Sequence, residues 1–222
     1  MEHDLSIALS DSISKEATSL TTDFLEIGLD AVMDDGILKE IPILSTAVGL
    51  YKIGHSLKER HYIKKLIAFI DALNKGVADE EKREYYKSKV KDDPKRRNKE
   101  LEYILLLIDR YIQTDKAQYL AIAYLNYLDN YIQWDKFVKA TEILDRLFLD
   151  DLDEMYSQSW LVINDSWMPD SLARLIGLGL AYVDTNQRMT TYDDSAKRYY
   201  LTSFGNELLF CFYRKDKTEL RM

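Results

Sequence analysis

The sequence predicts a mainly α-helical protein, in which a multi-helix bundle is followed by a small winged helix-turn-helix with a two-stranded β wing. Through most of the first two thirds of the chain, apolar residues recur at the three- and four-residue spacing of a helix face. The pattern changes after Trp160, where the order becomes helix, short strand, polar loop, strand and helix. We therefore expect a helical domain over residues 1–133 and a winged-helix-like domain over residues 134–222.

Two helices are predicted in the region before Pro94. The first is amphipathic, covers residues 50–73 with lysines between its apolar positions, and ends near Gly76. The second is highly charged and covers residues 79–91, with acidic residues at its N-terminal end, where the helix dipole favours them. The Asp92-Asp93-Pro94 turn ends this helix, because proline disfavours helical backbone in the residue before it.

Three further helices are predicted in the middle of the chain. The first covers residues 95–110 and presents Leu101, Ile104 and Ile108 on a face that we expect to be heavily buried. Thr114 and Asp115 offer N-terminal caps for the next helix, which runs to a polar break at residues 129–130. The last begins near residue 134 and continues through apolar positions as far as residue 148.

The last quarter of the chain supplies the predicted winged module. Pro169 favours a helix start, and the short apolar face that follows ends at Gly177 and Gly179. Two strands are predicted at residues 180–184 and 198–202, separated by a polar stretch. A last helix is predicted to begin near Ser203.

Two runs in this module, LARLIGLGLAYVD from residue 172 and YYLTSFGNELLFCF from residue 199, resemble the end of abortive-infection alpha family proteins. The similarity covers about a quarter of the chain, and Ile176 and Gly179 depart from the family pattern. The resemblance implies a role in bacterial defence against phage and brings no catalytic residues with it. The matching positions are Leu172, Arg174, Leu175, Gly177, Leu178, Tyr200, Leu201, Thr202, Phe204 and Gly205.

Charge is distributed unevenly along the chain. The net charge is −8, yet residues 1–50 carry 2 basic and 10 acidic residues, whereas residues 51–100 carry 15 basic and 9 acidic ones. The two segments could pack against each other, or the basic one could be an ordinary solvated helix face or could bind an anionic partner. The possible anionic-partner face consists of Lys52, Lys58, Arg60, Lys64 and Lys65.

The winged module offers few groups for reading DNA. A recognition helix needs hydrogen-bond donors on its exposed face, and the predicted helix has a single arginine near Asp170. The acidity of the whole chain also argues against strong nonspecific duplex binding. Contact with a protein partner is favoured and nucleic-acid binding is the alternative; the candidate contact residues are Arg174, Arg188, Lys197 and Arg198.

The sequence predicts no catalytic residue, metal site or cofactor site. The single cysteine, Cys211, lies between phenylalanines and is typical of a buried side chain. His55 and His61 do not have the i, i+4 spacing of helical zinc proteases. Acidic pairs such as Asp150-Asp151 are explained by helix caps and turns. The glycines lack the lysine and the spacing of a phosphate-binding loop.

The 16 tyrosines are the most unusual feature of the composition. Several lie in one predicted helical region, where their rings can fill a core while the hydroxyls reach its edge. A protein-recognition surface is the alternative, because tyrosine is favoured at interfaces. These residues are Tyr103, Tyr111, Tyr119, Tyr124, Tyr127 and Tyr131.

Membrane signals are weak. The first ten residues lack the basic start and apolar core of a secretory signal, so we expect a cytoplasmic protein. The uncharged stretch over residues 41–51 is shorter than the about 20 apolar residues that a spanning helix needs. The segment from Gly36 to Gly54 precedes a basic helix, so it could bind an anionic membrane, although a buried connection is favoured.

These features together favour a non-catalytic interaction protein of a bacterial phage-defence (abortive-infection-like) or prophage-encoded system. The alternatives are a DNA-binding winged-helix regulator and a membrane-active effector that uses segment 36–54. The expected partner is another protein or a second copy of the chain, with nucleic acid or a membrane surface as the other possibilities.

Overall fold

The computed structural model describes residues 2–14, 41–51, 56–77, 80–157, 160–164, 170–184 and 196–213. Within these ranges the chain is mainly helical, with a small antiparallel sheet near its C-terminus, which confirms the predicted fold class. The chain divides into two compact units, Met1–Tyr131 and Ile132–Met222. The sequence placed a domain boundary between residues 133 and 134.

Six helices of the N-terminal unit lie in its described residues. They are α1 (Glu2–Ser14), α2 (Pro42–Tyr51), α3 (Leu57–Gly76), α4 (Glu80–Asp92), α5 (Pro94–Arg110) and α6 (Lys116–Leu128). Helix α3 packs along α6, and α1 packs against α2, α4 and α5. Their apolar faces form a core that includes Leu9, Leu44, Ile63, Leu66, Leu101, Ile104 and Leu120.

The predicted helix over residues 50–73 is wrong at its N-terminal end. Helix α2 ends at Tyr51 and α3 begins at Leu57, after the N-cap Ser56. The Ser56 hydroxyl accepts a hydrogen bond from the Glu59 amide at 3.2 Å, which satisfies one of the free amides at the start of α3. The spacing of apolar residues missed this break because the three/four pattern continues across it.

The described part of segment 36–54 contributes several side chains to the core. Ile43, Leu44 and Ala47 of α2 are fully buried, and α2 packs against α1 and α3. The Ser12 hydroxyl accepts a hydrogen bond from the Ile43 amide at 2.9 Å and donates one to the Ala8 carbonyl, which joins α1 to α2. These apolar side chains are therefore covered by the protein itself; residues 36–40 and 52–54 lie outside the described ranges.

The C-terminal unit combines helices with a three-stranded sheet. Its elements are α7 (Trp134–Arg146), α8 (Leu149–Ser157), β1 (Trp160–Asn164), α9 (Asp170–Gly177), β2 (Ala181–Asp184), β3 (Ala196–Leu201) and α10 (Ser203–Phe212). The sheet order is β1-β3-β2, and both pairs are antiparallel. The sequence predicted β2 and β3 and missed β1. A short apolar run does not by itself reveal its partner strand, and the partner of β1 is β3, which follows α9 and β2 in the chain. The loop expected as the wing, residues 185–195, lies outside the described ranges.

Helix α9 ends in a Schellman motif, the left-handed turn that closes many helices. Gly179 has a φ of 72°, a conformation that glycine adopts without strain. The Leu180 amide donates to the Leu175 carbonyl at 2.8 Å, and the Gly179 amide donates to the Ile176 carbonyl at 2.9 Å. Gly179, which departs from the abortive-infection pattern, is thus the residue that turns the chain from α9 into β2.

Close backbone packing joins this turn to the start of α10. Thr202 is the N-cap of α10, and its hydroxyl accepts from the Gly205 amide at 3.0 Å. The Thr202 amide donates to the Leu180 carbonyl at 2.9 Å. A Cβ on Gly205 would overlap that same carbonyl oxygen, so glycine at this position lets α10 approach the backbone before β2.

Candidate interaction surfaces

Arg174, the arginine that the sequence assigned to a DNA or partner contact, is bound to a carboxylate inside the C-terminal unit. Its Nε and Nη2 donate to Oδ2 and Oδ1 of Asp151 at 3.1 and 2.8 Å, a two-point pairing. The guanidinium also lies over the Phe148 ring, 4.6 Å from its centroid. The neighbouring carboxylate raises the pKa of Arg174 further, so the side chain remains a cation in this pair.

Asp151 is fully buried, with 0% of its surface exposed. Besides pairing with Arg174, its Oδ2 accepts a hydrogen bond from the Phe148 amide at 2.8 Å and so caps the start of α8. The carboxylate therefore has three donors and needs all of them, because an unpaired buried charge is strongly unfavourable. The Arg174 guanidinium makes two hydrogen bonds within this pair. The main side-chain donor of the predicted recognition helix is therefore engaged inside the protein.

The exposed residues of α9 do not replace that donor. They are Asp170, Ala173 and Gly177, none of which carries a side-chain N–H group. Of the other predicted contacts, Arg188 lies outside the described residues, Lys197 is placed only as a member of β3, and Arg198 is exposed on that strand. The described part of the module therefore offers little with which to read base edges.

The outer face of the sheet carries a pair of tyrosines. Tyr182 on β2 lies directly opposite Tyr200 on β3, and their ring centroids are 5.8 Å apart with the planes tilted by 31°. Tyr182 is 49% exposed, whereas Ala181 and Tyr199, which precede the two tyrosines, are buried on the opposite face. Arg198 falls on the outer face with Tyr200, two residues along β3.

The sequence did not predict this outer face. Arg198 was expected to contact a partner, whereas Tyr182 and Tyr200 were not among the expected contact residues. The sequence carries no clear signal for it, because Ala181, Tyr182 and Val183 do not alternate between apolar and polar side chains. The register between β2 and β3 decides that Tyr182 and Tyr200 share a face, and register is a property of the folded sheet. Tyrosine and arginine on an exposed face are the composition of a protein interface.

One residue of the expected anionic-partner face, Lys65, is used inside the N-terminal unit. Lys65 is buried, and its ammonium donates to the Asp109 and Tyr111 carbonyls at 2.8 and 2.6 Å. Desolvation lowers its pKa, although the charge of Asp109 opposes the change. Lys58 is exposed and lies 3.4 Å from the Asp109 carboxylate.

The remaining members of that face are less constrained. Arg60 and Lys64 are partly exposed on α3, and Lys52 lies outside the described residues. Lys65 therefore acts as a C-terminal cap for α5, not as a contact for an external anion. The side chains of Lys58, Arg60 and Lys64 are exposed or partly exposed on this side of α3.

A second polar cluster joins α5 to α6 in the same unit. Glu100 is almost fully buried and accepts hydrogen bonds from Arg96, Arg97 and the Tyr127 hydroxyl, the last at 2.7 Å. Burial raises the pKa of both Tyr127 and the neighbouring, fully buried Tyr124. Raised pKa values keep both hydroxyls protonated at neutral pH, so neither is an activated nucleophile or base.

Half of the six tyrosines in the tyrosine-rich region are core. Tyr111, Tyr124 and Tyr127 are buried, Tyr103 and Tyr119 are partly exposed, and Tyr131 is exposed. The Tyr127 hydroxyl also takes part in the Glu100 cluster, as expected for a ring that fills a core and reaches its polar edge.

Two observations on the described residues concern nucleophilic and metal chemistry. Cys211 is buried, and burial raises the pKa of its thiol to about 11, which opposes thiolate formation at neutral pH. No group of three or more metal-ligating side chains occurs in the part of the chain that the structure describes. None of the described helices is both long enough and apolar enough to cross a bilayer.

Comparison with protein-family models, with curated proteins and with solved structures finds no significant match to the chain.

Proposed function

We propose that this protein acts by binding another protein through the outer face of its C-terminal sheet. The observation that carries the proposal is the cross-strand pair of Tyr182 and Tyr200, with Arg198 on the same face. Large aromatic rings held by strand pairing offer contact area at a low cost in conformational entropy, which is why tyrosine is favoured in binding surfaces.

The charges of the module support a protein over nucleic acid as the partner. Arg174 is committed to Asp151, and the exposed residues of α9 include an aspartate and no donor side chain. Phosphate and base-edge contacts both need such donors. The regulator alternative therefore has little support from α9, where Ser171 is partly exposed and Arg174 is paired with Asp151, whereas a protein partner needs no such donors.

The biological setting of the proposal is a bacterial phage-defence or prophage-encoded system. It is supported by the resemblance of residues 172–184 and 199–212 to abortive-infection alpha proteins. The structure gives two of the matching positions clear physical roles, since Arg174 binds Asp151 and Gly205 packs on the Leu180 carbonyl. Both roles are structural, so the resemblance supports a shared module architecture more directly than a shared partner.

Site-specific photo-crosslinking in the native host tests the proposed surface. A photoreactive residue at position 182 is expected to capture one protein reproducibly, and a second substitution, Tyr200→Asp, is expected to abolish the capture. The matched control is a photoreactive residue at Tyr131, an exposed tyrosine of the other unit. Equal capture of the same protein from both positions would contradict the proposed surface.

A plaque assay tests the setting. If the chain protects its host from phage, Tyr182→Asp combined with Tyr200→Asp is expected to abolish protection while the protein remains folded. A salt-sensitive shift of duplex DNA that persists in this double variant would instead favour the regulator.

A further inference from the structure

One end of the N-terminal unit presents two aliphatic side chains to solvent with almost no cover. Leu57, the first residue of α3, is 89% exposed, and Ile112, which follows α5, is 85% exposed. They are the most exposed large hydrophobic side chains in the described residues. Leu106, on the last part of α5, is also exposed. We call Leu57, Leu106 and Ile112 the aliphatic tip.

Contacts between α3 and the end of α5 hold the aliphatic tip together. His61, one turn after Leu57, has its Nε2 2.6 Å from the Ile112 carbonyl. Lys58, next to Leu57, pairs with Asp109, one turn after Leu106. The buried Lys65 ammonium binds the Asp109 and Tyr111 carbonyls. Leu57 and Ile112 therefore project from a backbone that three separate contacts fix, so little ordering is needed when they are buried by a partner.

Cations surround the aliphatic tip. Apart from the buried Lys65, residues 56–65 contain three basic residues and one acidic residue, and residues 106–115 contain one basic and two acidic residues, so this end carries a net +1 in a chain of net −8. Lys58, Arg60, Lys64 and Arg110 all have exposed or partly exposed side chains. The positive sign is local and complements a negatively charged surface, since charges farther away than about 8–10 Å are largely screened at physiological salt.

We infer that the aliphatic tip and its surrounding cations bind the surface of an anionic phospholipid bilayer. Leu57 and Ile112 enter the boundary between headgroups and acyl chains, and Lys58, Arg60, Lys64 and Arg110 lie against the headgroups. A protein partner fits this end less well, because lysine is depleted at protein interfaces and the exposed apolar residues are aliphatic, not aromatic. The inference concerns the N-terminal unit and does not depend on the partner surface of the C-terminal sheet.

Flotation of the purified full-length chain with lipid vesicles tests the inference. We expect the protein to float with phosphatidylcholine vesicles that contain phosphatidylserine, and not with vesicles of phosphatidylcholine alone. Leu57→Glu combined with Ile112→Glu is expected to lower the partition coefficient at least about tenfold, because each buried aliphatic side chain contributes on that scale. Lys58→Glu combined with Lys64→Glu is expected to lower it as well, and added salt is expected to weaken binding of the unmodified chain.

The control variant is Ile7→Glu, which places the same charge on an exposed isoleucine of α1. It is expected to bind like the unmodified chain. All the substituted side chains are at least partly exposed, and circular dichroism verifies that each variant is folded. Three results would overturn the inference: no flotation with anionic vesicles, equal flotation of the Leu57/Ile112 variant, or equal binding to neutral vesicles. Self-association that this variant abolishes, without vesicle binding, would assign the tip to a second copy of the chain.

Discussion

Arg174 on α9 and Asp151 on α8 form a two-point ion pair whose carboxylate is fully buried. The pair connects the helix before β2 to the helix before β1, and Asp151 also caps α8 through the Phe148 amide. A residue that the sequence marks as a nucleic-acid contact is therefore part of the internal framework of the module. The pair engages the guanidinium of the only arginine of α9 inside the module, although that side chain is still about one third exposed.

Replacing the buried carboxylate tests that framework. Asp151→Ala is expected to lower the free energy of unfolding by about 2–4 kcal/mol, because it removes a helix cap and two charge-assisted hydrogen bonds. Asp151→Asn keeps an acceptor for the Phe148 amide, so it is expected to lower the free energy of unfolding by less than Asp151→Ala does. Urea unfolding followed by circular dichroism measures both, with the exposed Asp153→Ala as a control that changes stability by less than about 0.5 kcal/mol. An Asp151→Ala protein as stable as the control would show that the pair contributes nothing.

Two glycines of the winged module are expected to respond in opposite directions to the same substitution. Gly205→Ala forces a Cβ against the Leu180 carbonyl and is expected to cost about 1–3 kcal/mol or more, because backbone on both sides resists movement. Gly177→Ala meets open space at the end of α9 and is expected to be neutral or to stabilise by up to about 1 kcal/mol. Thermal melts of the two variants in parallel give the comparison, and equal melting temperatures would contradict it.

Two lysines of α3 are expected to differ in how much they contribute to the free energy of unfolding. Lys65→Met removes a buried ammonium that binds the Asp109 and Tyr111 carbonyls, so we expect a loss of about 1–3 kcal/mol. Lys58→Ala removes an exposed ion pair with Asp109 and is expected to cost less than about 1 kcal/mol. The urea midpoints of the two variants measure this difference. A larger loss of stability for Lys58→Ala than for Lys65→Met would contradict it.

Stability at alkaline pH is expected to depend on Tyr124. Burial raises its pKa above the ordinary value of 10.0, so the folded chain keeps the proton that the unfolded chain releases. The resulting stabilisation is complete below pH 10.0 and is lost as the pH rises toward the folded-state pKa. Tyr124→Phe removes this term, so its urea midpoint is expected to fall less between about pH 9 and pH 11 than that of the unmodified chain. The exposed Tyr131→Phe variant is expected to keep the full pH dependence; identical curves for Tyr124→Phe and the unmodified chain would contradict the assignment.

Local signals predicted the helical elements best. Asp115 occupies the predicted N-cap position of α6, although its side chain makes no capping hydrogen bond, and α6 ends at the polar residues near 129. Both features depend on neighbouring residues only, which is why the sequence contains them. Helix α1 was missed because its acidic, weakly patterned sequence becomes helical through packing against α2, α4 and α5.

Contacts between distant residues were not predictable from one sequence. The Lys65 ammonium and the Asp109 carbonyl are separated by 44 positions, and the Arg174 guanidinium and the Asp151 carboxylate by 23. The local sequence around a charged residue does not show whether its side chain is solvated or is buried against such a partner. The predicted contact residues therefore included Lys65 and Arg174, which the fold uses internally.

The sequence by itself determined that the protein is a helical bundle with a small sheet module, because helix periodicity, caps and turn glycines act over a few residues. It also excluded a disulfide within this sequence, which has a single cysteine. Tertiary structure alone decided which tyrosines and cations face outward. Strand register placed Tyr182 beside Tyr200 on the outer face, and helix packing buried Lys65 while leaving Leu57 and Ile112 exposed. Those outcomes depend on how separate elements meet in space, and it is at these surfaces that we propose the protein binds its partners.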